Sequence, residues 1–216
     1  MSESKAHGKF IVIEGIEGAG KSSAIKVVEE FLTQQQITFE NTREPGGTPL
    51  AEKLRTLVKE PCDETVTPEC ELLLMYASRS QLLANKILPA LQSGKWVVGD
   101  RHDLSSRAYQ GGGRKFDDKV IDTIANITLN GFKPNFTLYL DIEPELGLSR
   151  AQARGDLDRI EQEKIEFFHR VRNKYLQLAT NDDTIFIVDA SQAMNKVHDD
   201  IKQLLNKHCV GSDLGS

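Results

Sequence analysis

The sequence has 216 residues, of which 39% are hydrophobic and 27% are charged, and its formal net charge is -5. This composition is typical of a single globular domain over residues 1–216, and the net negative charge provides no field that would attract a nucleic acid polymer. No apolar run is long enough to cross a bilayer and residues 1–9 lack an apolar signal segment, so we expect a cytoplasmic protein without a membrane partner.

The first feature along the chain is a glycine-rich turn between an apolar run and a helical pattern. Residues 10–14 predict a buried strand, the next residues match G-x-x-x-x-G-K-S completely, and apolar spacing over 24–31 predicts a helix. In such a loop, backbone N–H groups surround phosphate oxygens at the positive end of the helix dipole. The lysine reaches the β- and γ-phosphates, and the hydroxyl after it, that of Ser22, can bind magnesium. The predicted nucleotide-binding residues are Gly15, Glu17, Gly18, Ala19, Gly20, Lys21, Ser22 and Ser23.

The next patterns predict a strand over 38–43, a loop over 44–49 and a helix over 50–60. Proline and two glycines prevent the loop from continuing a central strand, and such loops face the ligand crevice in open α/β sheets. A longer helix is predicted over 67–91, and Arg79 lies on or beside its apolar stripe. The spacing leaves two interpretations open, a snorkelling arginine at the edge of the stripe or one directed into a ligand pocket.

A third strand is predicted over 96–99, and charged residues follow it at its carboxyl end. Asp100 would lie opposite the phosphate-binding loop, where a carboxylate can hold magnesium or orient a nucleophile. The Gly-Gly-Gly-Arg run at 111–114 predicts a flexible break. One or two helical turns between Asp100 and the glycine run would bring four more side chains to the same crevice, those of Ser105, Ser106, Tyr109 and Gln110.

The second half of the chain alternates between helical and strand patterns. Arg150 and Arg154 belong to the lid, residues 150–161, which is too polar to be core. The lid is either a solvated surface or a mobile segment whose arginines neutralise charge during phosphoryl transfer. Residues 211–216 predict a frayed end. The predicted helices cover 120–128, a segment from 144, 160–179 and 197–205, and the predicted strands cover 136–141 and 185–189.

Five β-rich runs that alternate with helices favour an α/β fold with a parallel, doubly wound sheet and right-handed crossovers, built around the phosphate loop. A switch GTPase shares this loop, but D-x-x-G after a strand and the N-K-x-D motif are absent from the sequence. A motor or transporter subunit would need a longer chain. A small kinase is the interpretation that remains.

Together these motifs closely resemble the thymidylate kinase family, a family with the P-loop NTPase fold, over about residues 10–209. The phosphate loop lacks an arginine and the lid carries Arg150 and Arg154, which resembles the bacterial branch of that family. The most specific segments are 10–23, 42–48 (TREPGGT), 99–106 (GDRHDLSS), 108–114 (AYQGGGR) and 154–161 (RGDLDRIE).

The resemblance implies a kinase that transfers the γ-phosphate of ATP to dTMP with Mg²⁺ present, giving dTDP in dTTP synthesis. ATP would lie on the phosphate loop with its adenine near Gln192, and Ser22 and Asp100 would hold the metal ion. The catalytic residues implied by the family are Lys21, Asp100, Arg101, Arg150 and Arg154.

For the acceptor, the resemblance implies that Arg101 grips the dTMP phosphate, that Arg79 faces the thymine ring and that Tyr109 packs beneath the deoxyribose. Ser106 and Gln110 would bind the edge of the base, with Glu17 near the sugar 3'-hydroxyl. The sequence departs from the family where a phenylalanine usually stacks on the base, because that position holds a methionine. The implied substrate-binding residues are Glu17, Arg43, Pro45, Met75, Arg79, Arg101, Ser106, Tyr109, Gln110 and Glu161.

Two other functions stay open from the sequence. One is another deoxynucleoside or nucleoside monophosphate kinase, and the other is a P-loop module that binds nucleotides without catalysis. The family resemblance also implies a homodimer formed through helices of the kind that carries Arg79.

Overall fold

A parallel sheet of five strands forms the centre of the computed structural model, which describes residues 8–60, 63–153, 155 and 158–210. The strands are β1 (Phe10–Glu14), β2 (Phe39–Arg43), β3 (Trp96–Asp100), β4 (Phe136–Asp141) and β5 (Ile185–Asp189). They lie in the order β2-β3-β1-β4-β5, and every hydrogen-bonded neighbour pair is parallel. The predicted α/β fold with a five-stranded parallel sheet is confirmed.

The sequence of β1 explains its central position. All five residues of this strand are buried, because helices cover both faces of the sheet. Ile11 and Ile13 pack into the core on one face, and Phe10 and Val12 pack into the core on the other. Glu14 is the one ionisable residue of the strand, and it ends β1 at the carboxyl edge of the sheet.

Several helices begin where a side chain can satisfy a free backbone N–H group. Thr48 Oγ1 accepts a hydrogen bond from the Ala51 N–H group, and Thr67 Oγ1 accepts one from Cys70. Proline follows each of these threonines, at the helical position that needs no N–H group. The helices are α1 (Lys21–Gln34), α2 (Pro49–Lys59), α3 (Pro68–Leu82), α4 (Leu88–Gln92), α5 (Asp103–Ser106), α6 (Asp118–Leu129), α7 (Pro144–Gln152), α8 (Ile165–Ala179) and α9 (Met194–Leu205).

The glycine-rich segment after α5 is helical, so the predicted flexible break is wrong. Arg107–Gly113 forms a π-helical segment in which Gly111 and Gly113 are buried. A Cβ atom on Gly113 would lie 2.4 Å from a ring carbon of Phe167. These glycines therefore allow α8 to pack closely against the π-helical segment, rather than making the backbone mobile.

Two helix boundaries also differ from the prediction. The helix expected over 160–179 begins only at Ile165, and residues 160–162 form turns. A π-helical turn, Leu83–Ile87, separates α3 from α4 within the long helix predicted over 67–91. Arg154 and the frayed end predicted for 211–216 lie outside the described residues.

The parallel arrangement brings the carboxyl ends of the strands to one edge of the sheet. Glu14, Arg43 and Asp100, the last residues of β1, β2 and β3, therefore lie beside the glycine-rich loop that precedes α1. Within the described part of the chain, no helix has both the length and the apolar character needed to span a bilayer.

Replacing Gly113 by alanine is expected to lower the free energy of unfolding by about 1–3 kcal/mol, because the added methyl group overlaps the Phe167 ring. Urea denaturation measures this loss. Gly111→Ala is the matched control, since the nearest atom to its Cβ would be the flexible Ile121 Cδ1, at 3.0 Å, and the next would be Asp118 Oδ1, at an ordinary contact distance of 3.6 Å. Equal losses in both variants would contradict the packing role of Gly113.

Candidate active site

A cavity of about 380 Å³ opens at the carboxyl edge of the sheet. The structure brings most of the predicted site residues to it. The predicted residues that line the cavity are Glu17, Gly18, Gly20, Lys21, Ser22, Arg43, Pro45, Met75, Asp100, Arg101, Tyr109, Gln110, Arg150 and Glu161. Ser105, which the sequence placed at the crevice without a binding role, also lines the cavity. The lining residues that the sequence did not single out are Glu44, Arg55, Val58, Lys59, Asp158 and Ile160.

The glycine-rich loop forms one wall of the cavity. Gly18 and Gly20 have positive φ angles of 73° and 90°, and a Cβ atom on Gly18 would lie 1.9 Å from the Gly147 carbonyl oxygen. Lys21 Nζ donates hydrogen bonds of 3.0 Å to the carbonyl oxygens of Gly15 and Ile16. Burial lowers the pKa of Lys21 to about 8, and the charge of Arg101 contributes in the same direction. An anion in this loop would relieve that repulsion.

An acid of the same loop, an arginine and a tyrosine form the adjoining part of the wall. Arg101 Nη2 donates to Glu17 Oε1 at 2.6 Å and to the Tyr109 hydroxyl at 3.2 Å, and that hydroxyl donates to Glu17 Oε2 at 2.7 Å. Burial opposes ionisation of Glu17, but the charges of Arg101 and Lys21 hold its pKa below the usual value. Arg101 has a φ of 71°, an uncommon angle for a residue other than glycine. The structure thus places a strained arginine between the loop and Tyr109.

The residues predicted to hold magnesium fit that ion. Ser22 and Asp100 both line the cavity, and among the described residues Asp100 Oδ1 is buried without a hydrogen-bond partner. Hydroxyl and carboxylate oxygens are ligands that Mg²⁺ prefers, usually together with water and substrate phosphates. In the part of the chain that the structure describes, no group of three or more His, Cys, Asp or Glu residues could hold a metal by itself. Few protein ligands are typical of magnesium bound with a nucleotide.

Arg79 is part of a buried network beside the cavity. Its side chain is 1% exposed; Nε donates to Glu44 Oε2 at 2.7 Å, and Nη2 donates to Ser106 Oγ at 2.9 Å and to the His102 carbonyl oxygen at 3.1 Å. This burial shows that the snorkelling interpretation is wrong. Arg79 and Ser106 are not among the side chains that line the cavity, so their contacts with a base stay predictions.

Of the remaining predicted residues, Arg150 and Glu161 line the cavity and Gln192 does not. Arg150 of the lid donates from Nη1 to the Ala190 carbonyl oxygen, and Glu161 Oε2 accepts from the Asp158 N–H group. Gln192 donates instead to the Asp189 carbonyl oxygen and to Asp200, away from the cavity. The predicted residues that the structure describes but does not place in the cavity lining are Gly15, Ala19, Ser23, Arg79, Ser106 and Gln192.

Glu14 is a structural residue of the site that the sequence did not identify. Its Oε1 accepts from the His102 N–H group at 2.7 Å, and its Oε2 accepts from Ser105 Oγ at 2.5 Å and Tyr175 Oη at 2.9 Å. Burial raises the pKa of Glu14, against the opposing charge of Arg101. This carboxyl group joins β1 to the segment after β3. The sequence feature that could have identified Glu14 is its position as an acidic residue at the end of an apolar run.

Two basic residues of α2 were also missed. Arg55 lines the cavity and donates from Nη1 to the Pro45 carbonyl oxygen, and Lys59 Nζ donates to Asp158 Oδ2 in the lid. Their positions in the predicted amphipathic helix distinguished them only as polar residues.

Comparison with known proteins agrees with this geometry. A family model described as thymidylate kinase matches residues 13–201. A thymidylate kinase of Colwellia psychrerythraea is 66% identical over 209 residues, which cover 96% of this chain and 99% of that protein. Thymidylate kinases of Alteromonas mediterranea and Pseudoalteromonas translucida are 59% and 58% identical, covering 92% and 91% of this chain and 89% and 95% of those proteins.

The parallel sheet and the glycine loop between β1 and α1 define a P-loop NTPase fold. One cavity lined by a phosphate loop and by the charged segment after β3 is the arrangement of a nucleotide phosphotransferase. The chain belongs to the thymidylate kinase family, and the resemblance seen in its motifs is confirmed.

Replacing Glu44 by glutamine is expected to lower the free energy of unfolding by about 3–5 kcal/mol, because the buried Arg79 charge loses the closer of its two carboxylate partners and retains Asp103, which lies 3.5 Å from Nη1. Urea denaturation at pH 7 measures the change. Burial opposes ionisation of Glu44, but Arg79 and His102 hold its pKa below 4.5. The carboxylate therefore stabilises the fold above about pH 4.5, and this contribution disappears as pH falls through the lowered pKa.

Glu40→Gln is the control for this measurement. Glu40 pairs with Lys95 at the surface, where the two side chains are 35% and 46% exposed, so its loss should cost less than about 1 kcal/mol. Similar losses for Glu44→Gln and Glu40→Gln at pH 7 would refute the buried-pair interpretation.

Proposed function

We propose that this member of the thymidylate kinase family transfers the γ-phosphate of ATP to dTMP and produces dTDP through the residues of the cavity. The observation that carries the proposal is that one cavity is lined both by the phosphate loop and by the segment after β3. The family match and the names of the relatives give no support to another nucleotide kinase or to a module without catalysis.

On the donor side, the phosphates of ATP lie in the glycine loop, with Lys21 beside the transferred group. Backbone N–H groups and the lysine together neutralise the phosphate charge. Gly18 and Gly20 contribute no side chain to this loop. Ser22 and Asp100 hold Mg²⁺, which neutralises charge on the phosphate oxygens when it is bound. The adenine lies outside the cavity, towards the loop that contains Gln192.

On the acceptor side, Arg101 binds the phosphate of dTMP, and Tyr109 packs against the sugar. The pair of Glu17 and Arg101 supports these assignments because it already orients the guanidinium group within the cavity. Met75 lines the cavity, and we assign it to the base because its polarisable thioether can contact the face of a ring. The remaining proposed contacts with dTMP are made by Arg43, Pro45, Arg79, Ser106, Gln110 and Glu161.

The chemistry needs no strong general base. The nucleophile is an oxygen of the dTMP phosphate, which is mostly ionised at pH 7 because its second pKa is about 6. The protein must align donor and acceptor in line and neutralise the charge that develops on the transferred group. Lys21, Arg101 and the lid arginines, Arg150 and Arg154, carry positive charge for this task.

The purified chain is expected to release ADP from ATP and Mg²⁺ only when a nucleotide acceptor is added, with the highest kcat/KM for dTMP. A coupled ADP-release assay with dTMP, dCMP, AMP and thymidine measures this preference. Lys21→Met is the catalytic control and should lower kcat by at least about 10²-fold. Preference for dCMP, for AMP or for unphosphorylated thymidine would overturn the proposed function.

Arg154→Ala is expected to lower kcat by about 10³-fold or more while KM for dTMP changes little, because a lid arginine stabilises charge only during transfer. Steady-state kinetics with each substrate varied in turn provides both constants. Arg150→Ala shows which lid arginine dominates. Comparable losses in kcat and in dTMP affinity for Arg154→Ala would exclude the role proposed for this arginine.

We also propose a homodimer in the cytoplasm. Leu73 on α3 and Val120 and Ile127 on α6 are large apolar residues that are 58%, 44% and 78% exposed, and the two helices pack against each other. Such a patch suits an interface with a second copy of the chain. Sedimentation should give twice the monomer mass, with Ile127→Glu shifting the protein to monomer and Met194→Glu, on α9, leaving it dimeric. A monomeric wild type would refute this assembly.

A further inference from the structure

A buried carboxylate lies behind the part of the cavity wall that contains Gln110, in a position that the mechanism above does not use. Glu71 of α3 is 1% exposed and is not among the residues that line the cavity. Its Oε1 accepts from Gln110 Nε2 at 3.0 Å and from Arg114 Nε at 3.1 Å. Its Oε2 accepts from Arg114 Nη2 at 3.0 Å and from Arg159 Nη2 at 2.7 Å.

The charge of Glu71 determines how its partners are oriented. Burial opposes ionisation, but the hydrogen bonds from Arg114, Gln110 and Arg159 hold the pKa of Glu71 below its usual value. An ionised carboxylate can only accept hydrogen bonds. Gln110 must therefore turn its NH₂ group, and not its carbonyl oxygen, towards Glu71. The oxygen and nitrogen of a glutamine amide are assigned from such hydrogen-bond networks. An ionised carboxylate is compatible with only one of the two assignments.

The other end of the Gln110 amide is then free for a ligand. Gln110 lines the cavity, and among the described residues its Oε1 is buried without a hydrogen-bond partner. A buried carbonyl oxygen without a partner is costly, so it favours a ligand that brings an N–H group to this point. A ligand that brings a lone pair instead would face repulsion between two acceptors.

We propose that Glu71 is a positioning residue that selects the nucleobase by setting the orientation of the Gln110 amide. The inference rests on the proposed function, because it takes a pyrimidine monophosphate as the occupant of the cavity. Thymine carries an N–H group at ring position 3, where cytosine carries a lone pair. The Gln110 amide held by Glu71 thus accepts from thymine and rejects cytosine.

The test replaces Glu71 by glutamine and compares kcat/KM for dTMP with kcat/KM for dCMP. A neutral amide at position 71 can accept or donate, so Gln110 can present either end to the cavity. The ratio of the two constants is expected to fall by about tenfold, the factor that one well-placed hydrogen bond provides. The ratio compares two substrates on the same enzyme sample, so a partial loss of folded protein does not change it. An unchanged ratio overturns the inference.

Glu163→Gln is the matched control. Glu163 accepts from Nη1 of the same Arg114, but it has no hydrogen bond with Gln110 and does not line the cavity. Its replacement should leave the dTMP to dCMP ratio unchanged. A tenfold fall in this variant as well would show that loss of charge around Arg114, and not the orientation of Gln110, controls selectivity.

A second variant keeps the test decisive where Glu71→Gln does not fold. Glu71→Asp retains the charge for Arg114 and Arg159 but shortens the side chain by one methylene, which weakens its contact with Gln110. The ratio should fall by about threefold, and an unchanged ratio overturns the inference. Failure of the proposed function is distinguishable, because the wild type would then prefer another acceptor to dTMP in the ADP-release assay.

Discussion

The site depends on the pairing of buried arginines with carboxylates. An arginine keeps its charge in a protein, so it can be buried only where an acidic partner and hydrogen-bond acceptors surround it. Arg79 meets this condition through Glu44, and Arg101 meets it through Glu17. The carboxylates therefore determine where the guanidinium groups can lie, and the cavity wall follows from that arrangement.

This pairing also prepares the site for its substrates. Arg101 has a strained φ of 71° and is held by Glu17 and the Tyr109 hydroxyl, so its direction is set before a phosphate enters. Glu14 adds a second restraint, because it binds both Ser105 and the His102 N–H group in the segment around that arginine. Groups that need little rearrangement contribute most to the stabilisation of developing charge.

Local patterns in the sequence predicted the sheet, the glycine loop and part of the cavity lining, because strands, phosphate loops and helix caps depend on neighbouring residues. The family resemblance, and not a local pattern, implied the lining residues Arg43, Pro45, Met75, Arg101 and Glu161. Contacts between distant residues were not predictable in the same way. Gly113 looked flexible because its partner, Phe167, is far along the chain, and Glu71 gave no signal because its partners Gln110 and Arg159 lie in other segments. A charged residue in a polar helix face looks the same whether or not it is buried.

The segment that contains Arg159 and the cavity wall that contains Gln110 share one anchor. Arg159 donates to the Glu71 carboxylate and, through Nε, to the Val58 carbonyl oxygen at the end of α2. The same carboxylate holds Gln110, which lines the cavity. Any movement of the lid that withdraws Arg159 removes one of the three charge and hydrogen-bond partners of Glu71. The segment that contains Arg159 and the Gln110 amide are therefore held together by a single buried charge.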